Sequence, residues 1–354
     1  MIARNGIYRT CRLICCCICL AALPAMARAA EDAGKPAGTI EGREQPLRQD
    51  GISKAPEPGG EQASGKLANA NERAAGWFPG SRLYPDSIAD PRRVAFTGGL
   101  RYHDDAFNRF RTRYGTDSHV LGSDKMFGAV SLGTRLPLYR WNVVKGYLQS
   151  DIEGCVWALF AFKKPSGWLG EASTLLNADY YMAFITSYSY DSWALQLRFW
   201  HMSSHLGDEF IELYPEIFRR NVSIEGIDVF ASWTVVRQAR LFLGVGCIYH
   251  SFKDSKFDPF YLEYGAEFRP FDAIRLGKSM NFQPFLSAHL KNWQNNHFAI
   301  NGNYSIGIEF ASLRDQYQPK LQLYFSFHHG PSVEGQFYNY STTYYSLTLA
   351  FQLI

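Results

Sequence analysis

The sequence predicts an all-β protein, an antiparallel transmembrane β-barrel of about 12 strands. Three observations predict it. From residue 94 onward the chain runs in segments of about ten residues that alternate apolar and polar side chains, the period of a strand. No segment approaches about 18 uninterrupted apolar residues, so no spanning helix is expected. Aromatic residues make up 16% of the chain, and Tyr and Trp recur near segment ends, where a barrel sets its interfacial girdles.

The elements before the barrel read in order. Residues 1–29 form a secretory signal peptide: Arg4, Arg9 and Arg12 give a basic start, residues 13–23 an apolar run, and Ala25-Met26-Ala27 and Ala27-Arg28-Ala29 small-residue cleavage sites. Its removal implies export and, with a barrel to follow, the outer membrane of a Gram-negative-type bacterium. Five of the seven cysteines leave with this leader, so Cys155 and Cys247 remain; that excludes a disulfide scaffold and leaves room for one bridge. The leader carries four arginines and no Lys or acidic residue, so cleavage takes the formal charge from +3 to −1. Such a chain has no electrostatic footprint for nucleic acid, and its partners are sought in outer-membrane lipid. Residues 30–76 are rich in Gly, Ala, Pro, Glu and Lys and cannot bury enough surface to offset their ordering entropy, which predicts a disordered periplasmic linker. Residues 77–93, WFPGSRLYPDSIADPRR, read as an irregular, Pro-punctuated lead-in that caps the lower rim of the barrel.

The barrel occupies 94–354. Its strands are expected at 94–103, 127–138, 146–159, 178–189, 193–203, 222–235, 240–250, 260–269, 282–291, 298–311, 320–329 and 343–353. Leu321, Leu323, Phe325 and Phe327 oppose Gln322, Tyr324, Ser326 and His328; Phe260, Leu262, Tyr264, Ala266 and Phe268 oppose Tyr261, Glu263, Gly265, Glu267 and Arg269. A secreted sandwich would show the same alternation. The aromatic share, the even strand count and the last strand favour the membrane. That strand, with Tyr345, Leu347, Leu349, Phe351 and Leu353 on one face, resembles the C-terminal signal read by the barrel-assembly machinery, although it ends on Ile354 instead of an aromatic. Connections after the first, third and fifth strands are long and those after the second, fourth and sixth short, the outer-membrane rule of long loops outside, although the later inner connection at 270–281 is longer than the outer one at 251–259. A lumen of this strand number is small, and inward Tyr261, Phe285 and Tyr324 fill part of it, which argues against a wide porin.

The fifth strand carries the candidate chemistry. In WALQLRFWHMSSH (193–205), Trp193, Leu195, Leu197 and Phe199 form the lipid-facing row, which ends on His201 and Ser203 at the outer rim. Serine needs a base to attack an ester, and the base needs an acceptor to steady its imidazolium. If the 204–221 connection is centred near residue 213, His201 pairs across the ladder with Glu225, whose parity puts it on the same outer face. The competing reading is that all three are interfacial polar residues marking the top of the apolar band, within a non-enzymatic barrel that acts as a narrow pore, adhesin or structural protein. Beyond the strand, His205, Asp208 and Glu209 read either as a Ca²⁺ site or head-group clamp, or as a Gly207-centred turn capped by Asp208. Arg219 and Arg220 either engage lipid phosphates or are exposed loop charges.

His201-Met202-Ser203 followed by a glutamate opening the next strand is similar to the outer-membrane acyl hydrolases: the lipid A 3-O-deacylases, and outer-membrane phospholipase A with its twelve-stranded barrel. The resemblance implies hydrolysis of lipid A or phospholipid esters, with Ser203 as nucleophile, His201 as base and Glu225 as orienting acid. The chain departs by carrying Ser204 where both families commonly have Asn, and by a longer connection after it. The stretch SSHLGDEF (203–210), with LYPDSIADPR (83–92), resembles more closely an uncharacterised bacterial outer-membrane family, a domain of unknown function.

Overall fold

The structure, a computed structural model, describes residues 75–104, 110–111, 117–118, 125–162, 173–217, 219–252, 255–277, 280–312 and 320–353. Residues 1–29, expected as a signal peptide, and residues 30–74 of the expected linker lie outside the described residues. In chain order the barrel strands are β1 (Phe96–His103), β2 (Met126–Val143), β3 (Gly146–Ala161), β4 (Thr174–Tyr190), β5 (Trp193–Leu206) and β6 (Val222–Val236). They continue as β7 (Ala239–Ser251), β8 (Phe260–Phe268), β9 (Met280–Trp293), β10 (Ile300–Ser312), β11 (Lys320–Pro331) and β12 (Ser341–Gln352). Each pairs antiparallel with its chain neighbour, and β12 returns to β1 with Leu347 opposite Leu100, so the sheet closes without a free edge.

The faces decide between barrel and sandwich. Met182 is 64% exposed and Ile306 57%, while Arg135 and Glu263 keep only 2% and 5%. A soluble sandwich buries its greasy rows; here those rows are outside and the charges inside, the arrangement hydrocarbon demands. Cys155 turns inward and Cys247 outward, and among the described residues neither is in a disulfide. At the inner rim, two-residue turns join β2 to β3, β4 to β5 and β6 to β7. Lys145 and Asp191 take φ of 59° and 51° there, as tight hairpins require. The longer inner connection after β8 lays a short extension, Ile274–Leu276, against the start of β9.

The lead-in differs from the rim cap expected of it. Gly76 and Trp77 pair with Arg140 and Tyr139 at the inner rim, and the chain then enters the barrel as a plug. Leu83, Tyr84, Ile88 and Ala89 are buried. Ile88 N donates to Glu267 Oε1 at 2.8 Å, Arg240 Nη1 to the Pro85 carbonyl at 2.9 Å, and Asn303 Nδ2 to the Ala89 carbonyl at 2.5 Å. Asp86 accepts from Arg135 Nη2 at 2.8 Å and also pairs with Arg82. Burial pushes the Asp86 carboxyl up, but Arg135 and Arg82 outweigh it and hold it below the usual range. The physical reason for the plug is reciprocal. A lumen lined by charges and amides needs polar partners, and an irregular backbone has N–H and C=O groups to satisfy.

The outer mouth is filled from the other end. Residues 332–340, between β11 and β12, fold inward with Gly335, Gln336 and Phe337 buried. The 207–221 connection holds a short helix, α1 (Asp208–Leu213), that the strand pattern did not predict. Its Phe210 is fully buried against Phe127, Leu159, Leu176, Leu206 and Phe337.

Candidate functional site at the outer rim

β5 and β6 place His201 directly opposite Glu225, the register the sequence required. Both side chains are partly exposed on the outer face, at 39% and 37%. His201 Nδ1 lies 3.7 Å from Glu225 Oε1, beyond hydrogen-bond range but close enough for charge attraction. Ser203 faces Tyr180 on one side and Ser223 on the other. Among the described residues, no side-chain hydrogen bond joins Ser203 to His201.

Sequence reasoning missed His250. Alternation along β7 sends Phe242, Gly244, Gly246 and Ile248 inward, and by that parity His250 follows them. A register shift between Ile248 and His250 falls at Tyr249 and turns His250 out, opposite Glu225. Its Nδ1 is 3.4 Å from Glu225 Oε2, so the carboxylate lies between two imidazoles. The one sequence cue is the run Ile248-Tyr249-His250, which breaks the alternation at the strand's outer end.

The remaining candidates take varied places. Ser204 points into the lumen, where its hydroxyl donates to Asn177 Oδ1 at 3.1 Å and its carbonyl accepts from Gln336 Nε2 at 2.6 Å. His205 faces outward, with its ring 5.8 Å from that of Tyr180. Arg219 is exposed. Arg220 turns into the mouth, donating from Nη1 to Tyr338 OH at 2.8 Å with its guanidinium over the Tyr338 ring. Asp208 and Glu209 are exposed in the first turn of α1, where the helix dipole favours carboxylates. Among the described residues, the group of potential ligand atoms that converges within 4.8 Å is Asp90, Glu263 and His289, inside the lumen. There Lys291 Nζ, 2.6 Å from Glu263 Oε1, already supplies the positive charge. The structure therefore gathers His201, Ser203 and Glu225 on one outward patch with His205 near it, and leaves Ser204, Asp208, Glu209 and Arg220 outside that patch.

The patch can do acyl-transfer chemistry in principle. A hydroxyl and an imidazole share one face, a carboxylate stands across from the imidazole, and all three lie on the outer face of the barrel wall.

A protein-family model described as "Protein of unknown function (DUF1207)" matches residues 37–353. No curated protein matches the chain. Among solved structures, the outer membrane phospholipase dimer of Salmonella typhi with bound calcium is similar at 13% identity and TM-score 0.45, covering 77% of this chain and 96% of its own. Outer membrane phospholipase A from Escherichia coli has 13% identity and TM-score 0.45, over 74% of this chain and 98% of that one. The KdgM porin has 7% identity and TM-score 0.34, over 74% and 100%.

Proposed function

The chain belongs to the DUF1207 family, whose description assigns no activity, and from its geometry we propose an outer-membrane barrel that hydrolyses acyl esters of membrane lipid. One observation carries this reading: Ser203, His201 and Glu225 converge on the outward face of β5 and β6, at the end of the apolar row, where lipid ester bonds lie.

Ser203 is the nucleophile. As its Oγ attacks the ester carbonyl, His201 takes the hydroxyl proton and Glu225 stabilises the imidazolium that forms. The tetrahedral intermediate collapses, the bond to the alcohol oxygen breaks, and His201 returns the proton to that oxygen. Water, activated by the same imidazole, then cleaves the acyl-serine and frees the fatty acid. Ser203 and His201 share a face two residues apart, so a change of side-chain rotamers is what brings Oγ to the ring. Ser223, opposite Ser203, offers a hydroxyl to the oxyanion from the membrane side, a role Ser204 cannot fill from the lumen. His205 lines the same approach, and exposed Arg219 is available to a lipid phosphate.

The non-enzymatic reading is a pore, adhesin or structural barrel. A pore is the weakest of these, because residues 81–93 and 332–340 occupy the lumen from opposite ends.

The test is direct. Folded protein incubated with lipid A or with phospholipid is expected to release fatty acid, and Ser203→Ala to abolish the release. Undiminished release by that variant removes Ser203 from the chemistry, and no release from either lipid removes the hydrolase.

A further inference from the structure

We infer that the lumen holds a binding site for a small oxyanion, a carboxylate or a phosphate, centred on the guanidinium of Arg93. Arg93 belongs to the plug and is 5% exposed. Its Nε, Nη1 and Nη2 are all buried, and none has a hydrogen-bond partner among the described residues. Its Cζ lies over the Tyr324 ring, 5.9 Å from the centroid. A guanidinium stays protonated in any protein setting, so burial cannot neutralise it. An ionised group taken from water without a partner is strongly disfavoured, and the economical partner for a fixed guanidinium fork is a planar or tetrahedral oxyanion.

The other lumenal cations set Arg93 apart. Arg135 pairs with Glu153 and Asp86, Arg198 with Asp228, Arg240 with Glu267, Arg101 with Glu334, and Lys291 with Glu263. Among the described residues no carboxylate lies within ion-pair distance of Arg93, and Arg93 is the one arginine whose Nε, Nη1 and Nη2 all lack a hydrogen-bond partner.

The surroundings fit an anion. Arg93 borders a main cavity of about 160 Å³ and a side niche of about 50 Å³. The niche wall includes Tyr324, Tyr344, Ser346 and Thr348, whose hydroxyls can donate, while Thr97 donates to Ser131 Oγ and Ser326 shares a hydrogen bond with Ser305. Asp90 is the one carboxylate in that wall. It accepts from Arg92 N at 2.8 Å, and one of its oxygens lies within 4.8 Å of a His289 ring nitrogen. An oxyanion seated here would bridge the plug to β1, β11 and β12. Neither the ester chemistry nor the outer patch enters this argument, so the site stands or falls apart from the hydrolase.

Trp157 reports on the site, because its Nε1 donates to the Arg93 carbonyl at 3.3 Å. The experiment titrates folded protein in detergent with inorganic phosphate and, separately, with acetate, in a chloride-free buffer of constant ionic strength. Saturable change in tryptophan emission is expected with at least one anion; the arm that saturates identifies phosphate or carboxylate as the preferred class. Arg93→Gln is expected to weaken that binding at least tenfold and Arg93→Lys less. Unfolding of the unaltered protein gives a readout that needs no variant: saturating anion should raise its midpoint temperature by roughly 2 °C or more. No saturation and no thermal shift with either anion overturns the site, as does equal binding by a folded Arg93→Gln protein.

Discussion

Glu225 stands between His201 and His250, and the two imidazoles are not equivalent. Only His201 shares a strand face with Ser203. Glu225→Gln keeps the shape but removes the charge that stabilises a protonated His201, and should lower kcat by about 10²–10⁴. His250→Ala frees the carboxylate for His201 and should leave kcat within about threefold of the parent. Rates of fatty-acid release from the two variants check the pair; a loss in His250→Ala as deep as that in Glu225→Gln would make His250 the base. Gly207 is a second residue with a sharp demand: a Cβ there would lie 2.0 Å from the Leu175 carbonyl oxygen, which is backbone and cannot swing away. Gly207→Ala is expected to cost about 2–4 kcal/mol, read as a lowered denaturation midpoint. The sequence carried Glu225 because parity and loop centring are arithmetic. It did not carry His250, because a register shift at Tyr249 reverses the face of the strand end beyond it.

Among elements, the inward 332–340 segment is held by charge. Glu334 accepts from Arg101 Nη1 at 2.5 Å and from the Ser332 hydroxyl at 2.5 Å. Burial alone would raise its carboxyl, but Arg101 and Arg92 outweigh that and hold it at about 2. A folded value below the unfolded one of about 4.3 stabilises the docked segment fully above that pH, and the contribution is lost as pH falls toward 2. Pepsin should therefore begin to cut within 332–340 only below about pH 4, while Glu334→Gln is cut across the acidic range; cleavage of the parent that does not change between pH 5 and 2 would count against this anchor. All twelve strands were legible because a wall between hydrocarbon and polar lumen enforces strict alternation. α1 was not legible: six residues are too few for a helical period to register, and buried Phe210 decides their docking. The plug was legible as irregular but not as internal, since its partners, Glu267, Arg240 and Asn303, lie about 150 residues or more away in sequence.

At the scale of the molecule, closure through β12 and β1 leaves no edge for detergent to peel. Unboiled protein should migrate faster than boiled protein on a denaturing gel, and a single mobility under both conditions would contradict a closed barrel. The polar lumen adds to this cohesion, with Arg198 held by Asp228 at 2.7 Å and 2.9 Å and Tyr261 donating to the same carboxylate at 2.6 Å.

A barrel stoppered from both ends carries a consequence for the cell that makes it. Abundant porins trade uptake of nutrients against entry of toxins, so their copy number is bounded by leakiness. With its bore occupied by its own chain, this protein is expected to be displayed densely without added leakiness, which the absence of ion conductance in a planar bilayer would check.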